Sequence, residues 1–172
     1  MLKKIILVIL SSMLLFAGEF SLDASKSQVY YEAKKDQFFS THTILGINKG
    51  LKGNLEKAND GYKGELIIDT LSFNSDDERR DTNVAEYLNV EKHKLMTFIY
   101  EINNNQAMGT MTLNGVSKEI VFPVNIKEDD SSLSIDGNIT IKYTDFNVET
   151  PSNLILSAHD DLVIGAKLYF KK

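Results

Sequence analysis

Cysteine is absent from the 172 residues. Disulfides, thiolate-ligated zinc and a lipid-modified cysteine behind a leader are therefore all excluded. Tryptophan is also absent, and proline occurs only at 123 and 151. No basic block is present: 19 Lys and Arg face 24 Asp and Glu, for a net charge of −5. Neutralising nucleic-acid phosphates requires clustered Lys and Arg, so nucleic acid is not an expected partner.

Catalytic patterns are missing too. The three histidines, His42, His93 and His159, stand far apart in sequence, with none at metal-ligand spacing to another. They read as solvated turn residues, a His42/His159 metal site across loops being the weaker alternative. "DDERRD" (76–81) lacks the turn glycine and the distal glutamate of a calcium loop and reads as a solvated charge run. No serine sits in a G-x-S-x-G elbow, and Gly46, Gly50 and Gly53 form no strand–loop–helix phosphate fingerprint. Neither an enzyme activity nor a cofactor nor a metal is expected.

The one long apolar run lies at the start. Lys3 and Lys4 precede "IILVILSSMLLFA". That run is shorter than the ~20 residues of a membrane helix, and basic-then-apolar order is the secretory pattern. Residues 1–18 are therefore expected to be a signal peptide, with an uncleaved anchor as the alternative. Residues 19–172 form the exported domain, which is expected in a periplasm.

From residue 20 onward, apolar residues alternate with polar ones and turn signals separate the runs. Phe20 and Leu22 open the series, followed by Val29, Tyr31 and Ala33, then Leu66, Ile68 and Thr70, then Met96, Phe98, Tyr100 and Ile102. Asn114-Gly115 marks a hairpin. Ile120, Phe122, Val124 and Ile126 share a face, as do Leu133, Ile135, Gly137, Ile139, Ile141 and Tyr143, and later Leu162, Ile164, Ala166, Leu168 and Phe170. About eight strands at hairpin spacing make a sandwich or an up-and-down barrel, whose interior is either filled or lined around one ligand. Pro123 inside such a run predicts an edge or a bulge, unless the run is not a strand.

One segment breaks the alternation. In "RRDTNVAEYLNVEKHK" (79–94), Asp81 or Asn83 can cap a helix over 83–90, with Val84, Tyr87 and Leu88 on one face. On a barrel, such a helix is expected over one end as a lid or plug. Phe38 and Phe39 stand in a polar loop region, where core packing and a barrel-mouth contact fit equally well.

Three segments together resemble the YceI-like family of exported, lipocalin-like, polyisoprenoid-binding proteins. "LSFNSDDERRDTNVAEYLNVEKHKLMTF" is similar to its strand, Arg-Asp dipeptide, short helix and following strand. "GTMTLNGVSKEIVFPV" resembles its G-x-L-T-x-x-G-V-T-K hairpin, with Gly109, Thr112, Gly115, Val116 and Lys118 in place. "YTDFNVETPSNLILSAHDDLVIGAKL" is similar to its late turn and final strand. The chain departs from the family pattern at its first strand, which lacks Trp, at Asn83-Val84, and at Lys94, where Pro is usual.

The resemblance implies an all-β, antiparallel eight-stranded barrel with one short helix near one end. Such a barrel holds a long-chain amphipathic lipid (polyisoprenoid, quinone-like or fatty-chain) for transport or storage. The implied lining is Leu66, Ile68, Phe98, Tyr100, Phe122, Val124, Ile139, Ile141, Tyr143, Ile164 and Leu168. Val84, Tyr87 and Leu88 lie over the end, and Phe38, Phe39, Phe73 and Phe146 complete the candidate ligand-binding set. Arg80 either holds that corner together with Asp81 or meets a polar head. A homodimer and transient contact with a membrane or lipid donor are further partners consistent with this reading. The alternative is a non-enzymatic envelope interaction or stress protein with a solid barrel.

Overall fold

A computed structural model of the protein describes residues 20–149 and 156–172. The expected signal peptide lies outside the described residues. In chain order the strands are β1 (Phe20–Leu22), β2 (Gln28–Gln37), β3 (Ser40–Asn48), β4 (Leu51–Ala58), β5 (Gly61–Asp69) and β6 (Phe73–Asn74). One helix, α1 (Glu78–Tyr87), precedes β7 (Leu95–Asn103), β8 (Gln106–Leu113), β9 (Val116–Glu128), β10 (Ser132–Lys142) and β11 (Leu156–Lys171).

These strands close into an eight-stranded antiparallel barrel. The count follows from two interruptions. β1 and β2 both pair with β11, while β1 also pairs with β4 and β2 with β3. Hence β1/β2 is one staff broken at 23–27, and β3/β4 is a second broken at 49–50. A small buried polar residue holds each break. Ser27 donates to the Asp23 carbonyl (2.8 Å) and accepts from Tyr169 N–H (2.9 Å). Asn48 donates to the Asp69 carbonyl (2.7 Å) and accepts from Gly50 N–H (2.8 Å). Buried backbone groups freed at a strand break need such partners.

The alternation sets the register, because a slip of one residue would turn every apolar side chain outward. Val29, Leu66, Ile68, Met96, Phe98, Ile102, Leu133 and Phe170 all face inward and are buried. Asn104-Asn105 and Asn114-Gly115 have positive φ (52° and 60°, 49° and 74°), which two-residue hairpin loops require to match strand twist. Pro123 lies within β9, where partners change. Residues up to 123 pair with β8, and those from Val124 onward pair with β10 as far as Gly137. A proline offers no N–H, so the ladder to β10 stops there.

The helix differs from its expected position. It begins at Glu78 rather than 83, because Asp77 caps it, accepting from Arg80 N–H at 3.0 Å. Glu78 and Asp81 then occupy the first turn, where acidic groups complement the helix dipole. Asn83 is an interior residue. Asn89, at φ 49°, ends the element just past Leu88. Val84 and Ala85 pack against the core, and Leu88 and Val90 are buried beyond the last turn. The helix therefore sits over one end of the barrel.

Candidate functional site

A cavity of about 510 Å³ opens beneath α1. β2 contributes Tyr31 and Ala33, β3 Ile44, β6 Phe73, β7 Met96, β8 Leu113 and β11 Leu162 and Ile164. Tyr143 and Val148 close one side, and Val84, Tyr87 and Leu88 form the roof. Charged groups gather at the mouth: Lys34, Lys35, Arg79 and Arg80 with Asp77 and Glu149. One step further along the strands, Val29, Phe98 and Met111 are buried and outside the lining. Below that level Phe98 stacks on Tyr100 at 5.0 Å and meets Phe122 at 5.7 Å. The cavity thus occupies the helix end, and Phe98, Tyr100 and Phe122 pack the level below it.

The polar fittings are few. Ser75, buried between β6 and α1, joins the helix to the barrel. Its N–H and hydroxyl both donate to Asp81 (3.1 and 2.5 Å). Arg80 donates from Nε to the Ser75 hydroxyl (2.7 Å) and from Nη2 to its carbonyl (2.5 Å). Arg80 and Asp81 therefore hold that corner by gripping Ser75 from two sides, while Nη1 of Arg80 also faces Asp77 at 3.8 Å.

Tyr31 is the unsatisfied member. It is only 8% exposed, and its hydroxyl is buried without a hydrogen-bond partner. Burial raises its pKa above the usual phenol value, with the Ser75 hydroxyl opposing and Asp81 and Arg80 acting electrostatically. That Ser75 hydroxyl is already engaged by Asp81 and Arg80. Tyr143 shares the cavity; burial above all, then Tyr31 and Asp160, push its pKa up to about 12. Both tyrosine side chains therefore line a space with apolar walls, and the Tyr31 hydroxyl itself is sealed from it.

The structure separates the sequence-derived candidates into groups. Phe73, Arg80, Val84, Tyr87, Leu88, Tyr143 and Ile164 meet at the cavity. Leu66, Ile68, Phe98, Tyr100, Val124, Ile141, Phe146 and Leu168 are buried in the packed core, with Phe122 and Ile139 partly buried against it. Phe38 and Phe39 are outside the cavity lining and exposed. The lining residues Tyr31, Ala33, Met96 and Leu162 carried an inward-facing signal, though nothing marked their height in the barrel. Ser75 carried no signal. His159 lies 3.0 Å from Asp36 Oδ2. Among the described residues, no group of three or more His, Asp or Glu side chains is placed to hold a metal ion.

A family model for the YceI-like domain matches residues 20–170. The chain belongs to the YceI-like family. No curated protein matches it. Among solved structures it is similar to BcnA of Burkholderia cenocepacia, at 21% identity over 86% of this chain and 98% of that one, with TM-score 0.73. A polyisoprenoid binding domain from Saccharophagus degradans gives 15% identity over 88% and 97%, with TM-score 0.72. The Campylobacter jejuni YceI protein gives 20% identity over 80% and 90%, with TM-score 0.65. At these identities the likeness establishes the fold. This YceI-like barrel and its neighbours share the closed eight-strand plan.

Proposed function

We propose that this YceI-like protein is an exported, periplasmic binding protein that holds a long-chain amphipathic lipid in the cavity beneath α1, for transport or storage. The observation that carries the reading is an apolar-walled cavity of about 510 Å³ beneath α1, with charged side chains confined to its mouth. That volume falls within the ~300–1,000 Å³ of small-molecule sites. It suits one segment of a chain, with the remainder reaching out past the helix. Family membership supports lipid as the ligand class, as does the polyisoprenoid-binding relative.

The walls supply affinity and the polar mouth supplies direction. Burying a methylene is worth ~0.8 kcal/mol, so a segment of about ten gives roughly 8 kcal/mol before association costs. Tyr143 and the charged groups at the mouth are the polar contacts offered to a head group, while the Tyr31 hydroxyl is sealed from the space. Binding is the whole role; no reaction is assigned to these residues.

Native mass spectrometry of protein purified from its own periplasm, followed by organic extraction, tests the reading. A stoichiometric adduct with a long apolar tail is expected, and Ile164→Trp should weaken it by narrowing the cavity. A bare mass that persists after incubation with prenyl and fatty lipids would defeat the proposal and favour an envelope interaction protein.

A further inference from the structure

The hairpin between β2 and β3 ends in two residues that oppose local folding rules. Phe38 and Phe39 form its loop, between Gln37 and Ser40. Phe39 is fully exposed and Phe38 is 74% exposed. Phe38 also has φ 56°, in the left-handed region. The other non-glycine residues in that region among those described, Asp76, Asn89, Asn104, Asn105, Asn114 and Asn147, are all Asn or Asp. Elsewhere, then, the chain meets this demand with residues that tolerate it. Here it places a bulky aromatic at a strained position and a second one beside it in water. Such departures from local consistency are expected where function requires them.

The tip is held firmly. Asp36 accepts from the Thr41 hydroxyl across the hairpin (2.6 Å) and meets His159 of β11 at 3.0 Å. Asp36 is also the only acidic residue between 34 and 43, and these contacts engage both of its oxygens. Lys34 and Lys35, on the same hairpin, line the cavity mouth beside Arg79 and Arg80. The mouth thus sets Lys34, Lys35, Arg79 and Arg80 against Asp77 and Glu149, a local excess of cations beside the aromatic tip in a chain of net charge −5.

We propose that the Phe38–Phe39 hairpin tip is a membrane-docking finger that seats the cavity mouth on a bilayer bearing anionic headgroups. The two rings enter the interfacial region, where aromatic side chains are favoured, and Lys34 and Lys35 meet the lipid phosphates. Docked this way, the mouth faces the surface from which a lipid would enter. The inference takes its purpose from the lipid-binding reading, but its measurement needs no bound ligand.

The test is flotation of the full exported domain with phosphatidylethanolamine–phosphatidylglycerol vesicles and with pure phosphatidylcholine vesicles. The native protein should float with the anionic vesicles and do so less as salt rises. Phe38→Ser/Phe39→Ser should lower that binding by about tenfold or more, and Lys34→Gln/Lys35→Gln should lower it only on anionic vesicles. Phe38→Gly controls for folding, because it relieves the positive φ and should raise the melting temperature while weakening flotation. Native protein that does not float, or a double Phe variant that floats equally well, overturns the proposal. A double variant whose only change is a shift from dimer to monomer in sedimentation also overturns it and assigns the tip to self-association. Retention of extracted lipid is read separately on the same variants, so failure to dock and failure to bind lipid are distinguishable.

Discussion

The ring of Tyr31 fills the space that a side chain at Gly46 would need. The two are cross-strand partners on β2 and β3, and a Cβ on Gly46 would stand 2.1 Å from Tyr31 Cε1 and 2.7 Å from its hydroxyl. Gly46 is thus a packing requirement of the cavity. Gly46→Ala should cost about 1–3 kcal/mol in urea unfolding, the usual range for overpacking, and should weaken lipid retention by displacing the ring. Gly46→Ala/Tyr31→Ala should cost less than the sum of the two single variants and should not restore binding. An additive double variant would show that the two sites do not interact.

Tyr31 and Tyr100 form a natural comparison, since both bury a hydroxyl without a partner. Tyr100 lies in the packed core, stacked on Phe98, and burial raises its pKa. Removing an unsatisfied buried hydroxyl should stabilise the empty protein, by up to ~1–3 kcal/mol at either site. Neither variant should weaken lipid binding, because both hydroxyls are sealed from the cavity. A binding loss confined to Tyr31→Phe would show that its hydroxyl reaches the bound lipid.

Ser75 should matter more than a serine usually does. Its hydroxyl donates to Asp81 and accepts from Arg80, so Ser75→Ala removes two charge-assisted bonds. A loss of about 2–3 kcal/mol is expected, with faster amide exchange concentrated in α1. Unchanged exchange there would mean that the helix is held by its apolar face alone.

Acid should weaken the β9–β10 turn. Asp129 accepts from the backbone N–H of Ser131 (2.9 Å) and Ser132 (2.8 Å) and from both hydroxyls, which holds its pKa down to about 2. An unfolded aspartate titrates near ~3.9. The depressed value means that its contribution is complete above about pH 4 and fades as pH falls toward 2. In acid unfolding monitored by circular dichroism, Asp129→Asn should start less stable at neutral pH and decline less steeply across that window. Parallel curves would discount the turn.

Much of the barrel was legible because a half-buried strand writes its inward face at every second residue. Met96, Phe98, Tyr100 and Ile102 of β7 are all buried, as their spacing predicts. The helix was legible in kind but misplaced in start: "DDERRD" offers several capping aspartates, and only the tertiary position of Ser75 selects Asp77. The site was harder to read. Alternation distinguishes inside from outside but carries no coordinate along the barrel axis, so Leu66 and Ile164 look alike although only Ile164 reaches the cavity. The strand breaks at Ser27 and Asn48 escaped notice because a buried Ser or Asn has no periodic signature.

The final strand completes the circuit at both of its ends. Through Lys171 and Phe170, β11 pairs with β1, and through residues 156–158 and 162–167 it pairs with β2, while β10 flanks residues 161–171 on the other edge. The earlier strands can zip into a curved sheet, but its two rims stay apart until β11 docks between them. Closure is therefore gated by a single strand, and deleting β11 should leave an open, sticky sheet rather than a smaller barrel.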